Sequence, residues 1–379
     1  MNTPALVDYA PAVRLLLTAA LVALLPLAWV WLRQRHGNAS ARLAALTTLT
    51  LFLTFDLVVF GSFTRLTDSG LGCPDWPGCY GQASPFGARE EIHAAQSAMP
   101  NGPVTWNKAW IEMIHRYLAM TVGALILVTA AVSWLERRRL PHSPWWPTFT
   151  LAWVIVQGLF GRYTVTLKLY PAIVTLHLLG GLALLVLLAL QHEAFARRPL
   201  ASTARLRLGT WVTLAVLVLQ VALGGWVSTN YAVLACTGFP QCNGQWWPAM
   251  DFSSGFTLLR HLGEDGRGGW LTSEALVAIQ MAHRLLALVV SVALLGLALA
   301  LGRHGDAAGR RFGLGLAALL LLQLASGLSN VVLGWPLVAA LGHAAGAAAL
   351  VLLLALLLAR GVAVASGPRT GPRTPAPAA

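Results

Sequence analysis

Four histidines lie inside long apolar segments of this chain, and they form two matched pairs. His115 and His177 fall in the first half, His283 and His343 in the second. The surroundings repeat as well. Glu112-Met-Ile-His115-Arg116 matches Gln280-Met-Ala-His283-Arg284, Gln157 and Gly161 match Gln323 and Gly327, and His177 with Gly180 matches His343 with Gly346. A lone imidazole in a membrane span commonly just hydrogen-bonds a neighbouring helix. Four in a repeated pattern point to a ligand. Two imidazoles at comparable depth on different helices can occupy both axial positions of a haem iron. Zinc fits less well, because it usually takes three or four protein ligands.

Glu112 is a costly residue for such a segment, and an intramembrane carboxylate is by default a functional candidate. On a helix it lies one turn from both His115 and Arg116. The plain alternative is a structural Glu112–Arg116 ion pair. The second copy keeps His283 and Arg284 but has Gln280 in place of the glutamate. That asymmetry divides the halves into a catalytic one with a carboxylate and one that holds a permanent cofactor. Arg116 and Arg284 are candidate contacts for ring propionates, since a guanidinium fork pairs with carboxylates. Their alternative is snorkelling to the interface.

Four cysteines complete the set. Cys73 with Cys79, and Cys236 with Cys242, have the same spacing in segments that align without gaps, Gly61 to Gln82 on Gly224 to Gln245. Seven of those 22 positions are identical. Each pair is expected to close locally as a disulfide in an oxidising compartment. A clip shaping the loop, a thiol–disulfide couple beside a haem and metal ligation are all open to such pairs.

The elements that must position these residues are membrane helices. The chain has 379 residues, is 57% hydrophobic and only 11% charged, and so reads as polytopic. Spans are expected near 12–32, 43–63, 109–133, 146–162, 172–192, 207–228, 274–301, 312–332 and 337–359. The net charge of +12 does not indicate nucleic acid, because the arginines sit in short loops between apolar runs. One set of loops and the tail carry 16 arginines, from Arg33 to Arg373, while the opposite set carries 7 Lys and Arg in much longer loops. The arginine-rich side is therefore cytoplasmic. The long loops, about 64–108 and 229–273, then face outward with all four cysteines.

The expected architecture is all-α: two four-helix transmembrane bundles related by internal duplication, with a pseudo-two-fold axis along the membrane normal. An extra N-terminal helix and its loop occupy 1–42. The repeats occupy 43–192 and 207–360, a cytoplasmic linker 193–206, and a disordered tail 361–379. The first span has arginines after its apolar core and no small-residue cleavage site, so it reads as a retained helix outside the repeat. Trp76, Trp106, Trp110, Trp246, Trp247 and Trp270 form either an interfacial belt or a cap over an aromatic ligand. The other histidines (His36, His93, His142, His192, His261 and His304) lie in loops or at span ends and receive no role.

At this point a resemblance becomes specific. The run G-S-F-T-R-L-T-D-S-G-L-G-C-P-D-W-P-G-C-Y-G-Q, with E-M-I-H-R, T-L-H-L-L-G-G, M-A-H-R and L-G-H-A-A-G, resembles the haem A synthase family in its cysteine-containing bacterial form. The likeness covers about 43–360. It implies oxidation of the C8 methyl of haem O to a formyl group, giving haem A for cytochrome oxidase. It also implies b-type haem held by His283 and His343, His115 and His177 flanking the substrate haem, and Glu112 as the catalytic carboxylate. The bacterial inner membrane, haem O synthase and a separate electron-transfer partner follow from it, with self-association as a further candidate. Oxidising a methyl twice gives a gem-diol that loses water. The haem supplies the hard chemistry while the protein supplies orientation and charge. An oxygen-rebound route and electron abstraction followed by water attack are both compatible with these residues. A bis-histidine electron-transfer cytochrome and a haem transporter or chaperone are the rival readings, and neither gives Glu112 a task.

Overall fold

The structure, a computed structural model, describes residues 10–140, 142–196, 199–304 and 306–363. Its helices are α1 (Ala10–Arg33), α2 (Ala39–Leu66), α3 (Arg89–Ala98), α4 (Trp106–Leu135), α5 (Trp145–Thr166), α6 (Pro171–Ala196), α7 (Ala204–Thr229), α8 (Phe252–Gly255), α9 (Ser273–His304), α10 (Ala307–Val332) and α11 (Leu337–Arg360). Leu200–Ser202 (β1) and Gly361–Ala363 (β2) pair in parallel. The helices start where the sequence supplies caps. Asn38, Thr105, Thr203 and Asp306 each accept a hydrogen bond from a first-turn amide, satisfying a donor that the helix cannot. In a bilayer this matters most along the helix body, where every backbone group must be paired internally.

Eight of the described helices are long and apolar enough to cross a membrane. The chain is a multi-pass membrane protein. α5 has 22 residues but is not among the eight; Gln157 and Arg162 lower its apolar content. It still takes the place of the expected span 146–162 and packs between α4 and α6. The long helices follow the expected series: α1, then α2, α4, α5 and α6, then α7, α9, α10 and α11. One buried cluster runs through both sets, with Leu185 and Leu188 of α6, Leu294 of α9, Leu316 of α10 and Leu350 and Leu354 of α11. Leu25, Leu314 and Val338 point outward, as expected of lipid-facing side chains.

Three details depart from or refine the sequence expectation. α1 lies outside the repeat yet is firmly packed. Ala23 and Val30 join Leu46 and Leu125, and Leu15 is buried with Cys73, Cys79, Ile92 and Met113. Its first turns therefore sit at the cysteine-loop end of the bundle. The linker is partly structured, since α6 continues to Ala196 and β1 follows. Residues 361–363, assigned to the tail, form β2 against it, and 364–379 lie outside the described residues. Arg360 also pairs with the buried Glu193, so the same end is tied twice.

At the opposite end, residues equivalent under the duplication touch. Arg65 Nη2 donates to the Ser228 carbonyl at 2.6 Å, and Tyr231 Oη donates to Asp68 Oδ1 at 2.6 Å. Arg65 aligns with Ser228 and Asp68 with Tyr231, the relation produced by a local two-fold axis passing between them. Asp68 and Tyr231 also share a left-handed backbone, with φ of 50° and 55°. Burial raises the Tyr231 phenol above its ordinary range, which keeps it the donor in this pair.

Candidate functional site

Each of the four intramembrane histidines faces a glycine on a neighbouring helix. A β-carbon added at Gly61 of α2 would stand 3.0 Å from His115 Cε1, and one at Gly224 of α7 would stand 3.1 Å from His283 Cε1. Gly161 of α5 and Gly327 of α10 face His177 and His343 in the same way, at 3.6 and 3.2 Å. At Gly61, Gly224 and Gly327 even a β-carbon would crowd the ring, whereas at Gly161 it would make an ordinary contact. At about 1.5 Å per residue, His115 and His283 lie roughly 14–15 Å along α4 and α9, and His177 and His343 about 9 Å along α6 and α11.

The pairs differ in what holds them. His115 Nδ1 and His177 Nδ1 are buried without a hydrogen-bond partner among the described residues. Phe60 of α2 stacks on His115, with ring centroids 6.3 Å apart and planes 8° apart. In the second half the Gln220 amide nitrogen lies 3.1 Å from His283 Nδ1 and 3.3 Å from Nε2. Ser326 Oγ lies 3.0 Å from His343 Nδ1, and Gln323 Nε2 donates to the His343 carbonyl at 2.9 Å.

Glu112 is 4% exposed and both its oxygens are engaged. Oε1 pairs with Arg116, and Oε2 accepts from the Cys73 amide at 2.8 Å. Arg116 Nη1 donates to the carbonyls of Asp75 (3.0 Å), Pro77 (3.2 Å) and Gly78. The Cys73–Cys79 disulfide closes this loop, and Cys236–Cys242 closes its counterpart. Carboxylate, arginine and loop thus form one buried unit at the cysteine-loop end of α4. Both arginines, the candidate propionate contacts, reach into the loops. Arg284 likewise donates to the carbonyls of Cys236, Gly238 and Gln241, at 3.2–3.3 Å. A tight disulfide loop turns several carbonyls inward, and a guanidinium with five donors beneath it satisfies them. Gln280, in the place of Glu112, is buried with Oε1 unpartnered.

Among the described residues, no group of three or more His, Cys, Asp or Glu is placed to hold a bare ion. Paired imidazoles, unpartnered ring nitrogens and glycine-faced rings fit an iron porphyrin, whose own nitrogens provide the equatorial ligands. Trp106 and Trp110 of α4 cluster with Phe86 of the first cysteine loop, while Trp246, Trp247 and Trp270 are exposed.

Sequence reasoning does not single out Gln220, Ser326, Phe60 or Asp56. The first three are ordinary helix residues until the fold brings them to a ring. Asp56 carries the same signal as Glu112, a carboxylate within an apolar span. It is exposed on α2 and lines a 320 Å³ groove with Val59, Phe60, Phe63 and Leu341.

The COX15-CtaA family, described as a cytochrome oxidase assembly protein, matches residues 44–355. The haem A synthase of Shewanella oneidensis is 39% identical over 81% of this chain and 92% of its own. Those of Rhizorhabdus wittichii and Shouchella clausii are 28% and 27% identical, over 78% and 67% of this chain and 87% and 73% of theirs.

Proposed function

Because the chain belongs to the COX15-CtaA family of cytochrome oxidase assembly proteins, we propose that it is a haem A synthase, a membrane oxidoreductase that converts haem O to haem A. In this reading the C8 methyl of haem O becomes a formyl group. The methyl takes one oxygen from water and releases four electrons and four protons, and the electrons leave to a separate redox partner. The observation that carries the reading is the matched set of glycine-faced histidine pairs, only one of which has a carboxylate a turn away.

We assign the substrate haem to His115 and His177 and a resident b-type haem to His283 and His343. The resident haem supplies one-electron redox chemistry when bound. The protein's own residues do the rest. The glycines admit the rings, and the apolar helices exclude water from them. Arg116 and the Cys73 amide hold Glu112 as a charged, fixed acceptor in the first half. A fixed carboxylate can accept a proton from the reacting carbon or a bound water, or stabilise positive charge there. Gln280 carries no charge and leaves the second half without this capacity. Arg116 and Arg284 anchor the disulfide loops in this scheme and are the candidate donors to ring propionates. The loops face the periplasm, and the substrate comes from a haem O synthase.

Co-expression with a haem O source, followed by pigment extraction, tests the assignment. A formyl-bearing haem that depends on this chain is expected. Unmodified haem O in the extract, with haem bound to the protein, would favour an electron-transfer cytochrome or a haem carrier instead.

A further inference from the structure

The two histidine pairs differ in a way that the duplication makes easy to read. Ser326 immediately precedes Gly327 on α10, and its hydroxyl donates to the Leu322 carbonyl at 2.6 Å. That uses its only proton. The 3.0 Å contact with His343 must therefore run from the ring, with Nδ1–H donating to Oγ. His343 is thereby held in one tautomer and orientation, with the Nε2 lone pair left for a metal. Gln323 adds a second restraint by binding the His343 carbonyl at 2.9 Å. Around His283, the Gln220 amide lies against the ring edge and also donates to the His283 carbonyl at 3.2 Å.

None of this exists in the first half. The position of Ser326 is Phe160 there, and that of Gln220 is Leu57. Gln157 matches Gln323, and its amide lies against Gly180 as that of Gln323 lies against Gly346, but among the described residues it makes no bond to the His177 carbonyl and its Oε1 is buried without a partner. Both first-half Nδ1 atoms are likewise unpartnered. Partners of this kind orient metal-bound histidines and raise their basicity, and their loss typically costs about 10–100-fold in metal affinity.

We propose that Ser326 and Gln220 are positioning residues that lock His343 and His283 onto a resident haem, and that Phe160 and Leu57 leave His177 and His115 unlocked so that the first half can exchange its haem. The inference rests on the haem assignment above. It accounts for how two near-identical sites serve a retained group and a group that must leave each turnover.

Full-length protein in detergent, loaded with haem, is mixed with excess apomyoglobin, and haem transfer is followed by absorbance. Two phases are expected, the fast one absent in His177→Ala and the slow one absent in His343→Ala. Ser326→Ala should speed the slow phase about tenfold and shift the low-spin electron paramagnetic resonance signal of the second site. Gln220→Leu should act in the same direction. Ser326→Thr keeps the hydroxyl and should restore both readouts, which a loss through packing alone would not allow. A slow phase and resonance signal unchanged in both Ser326→Ala and Gln220→Leu would overturn the inference. Wild-type protein that binds no haem, or His343→Ala that retains every phase, would instead sink the haem assignment itself.

Discussion

Glu112 shows how one residue can be both buttressed and reactive. Its side chain is buried, one oxygen on Arg116 and the other on the Cys73 amide. Glu112→Gln preserves shape and most hydrogen bonding while removing the charge. It also makes the first half copy the second. Haem binding is expected to persist, because no iron ligand changes, while haem A formation falls by at least about 10²-fold, the usual scale for a positioned acid–base group. Bound haem and haem A measured on the same purified protein decide this; normal turnover per bound haem would remove the catalytic role and leave only the ion pair. Arg116→Met should behave differently. It strands a buried carboxylate and frees three loop carbonyls, at a cost of about 3–5 kcal/mol. A large drop in thermal midpoint is expected, with partial recovery in Glu112→Gln/Arg116→Met. Equal midpoints for Arg116→Met and wild type would contradict the buried unit.

At the scale of elements, helix contacts are built around missing side chains. Gly61, Gly161, Gly224 and Gly327 each leave room for one imidazole. Gly224→Leu should push His283 aside without disturbing α7 itself, since leucine favours the helix. The expected result is a folded protein that lacks the second-site haem spectrum and keeps the first. Retention of both haems would show that α7 and α9 can part enough to admit the larger residue. Gly180 and Gly346 serve a related purpose, because a β-carbon at either would collide with the Gln157 or Gln323 amide. α1 belongs in this picture too. Leu15 is buried in one apolar cluster with Cys73, Cys79 and Met113, so this added helix packs into the unit that contains Glu112.

For the molecule as a whole, the arginine asymmetry predicts which end faces which compartment. Reporter fusions at Ser84 and Ser253 should read external and one at Ser202 cytoplasmic. An external signal at Ser202 would reverse the assignment and place both disulfides in a reducing compartment, where they would not persist. The two halves are tied at both ends, by Arg65, Asp68, Ser228 and Tyr231 near the cysteine loops, and by β1–β2 with Glu193–Arg360 at the other.

The sequence by itself determined the class of protein, the positions of its long helices, the repeat and the four histidines. These follow from local properties: apolar run length, residue spacing and the identity of matched segments. The pairing of each cysteine with its neighbour was also legible, because a short loop closes on itself. Tertiary structure alone decided what each polar group touches. It turned Arg116 and Arg284 to loop carbonyls, set a glycine against every imidazole and gave Ser326 and Gln220 their partners. These contacts join residues on different helices or loops, and spacing along one chain does not encode which faces of two helices meet. The structure also gave α1 its place against the disulfide loop, since hydropathy marks a span without saying what it packs against.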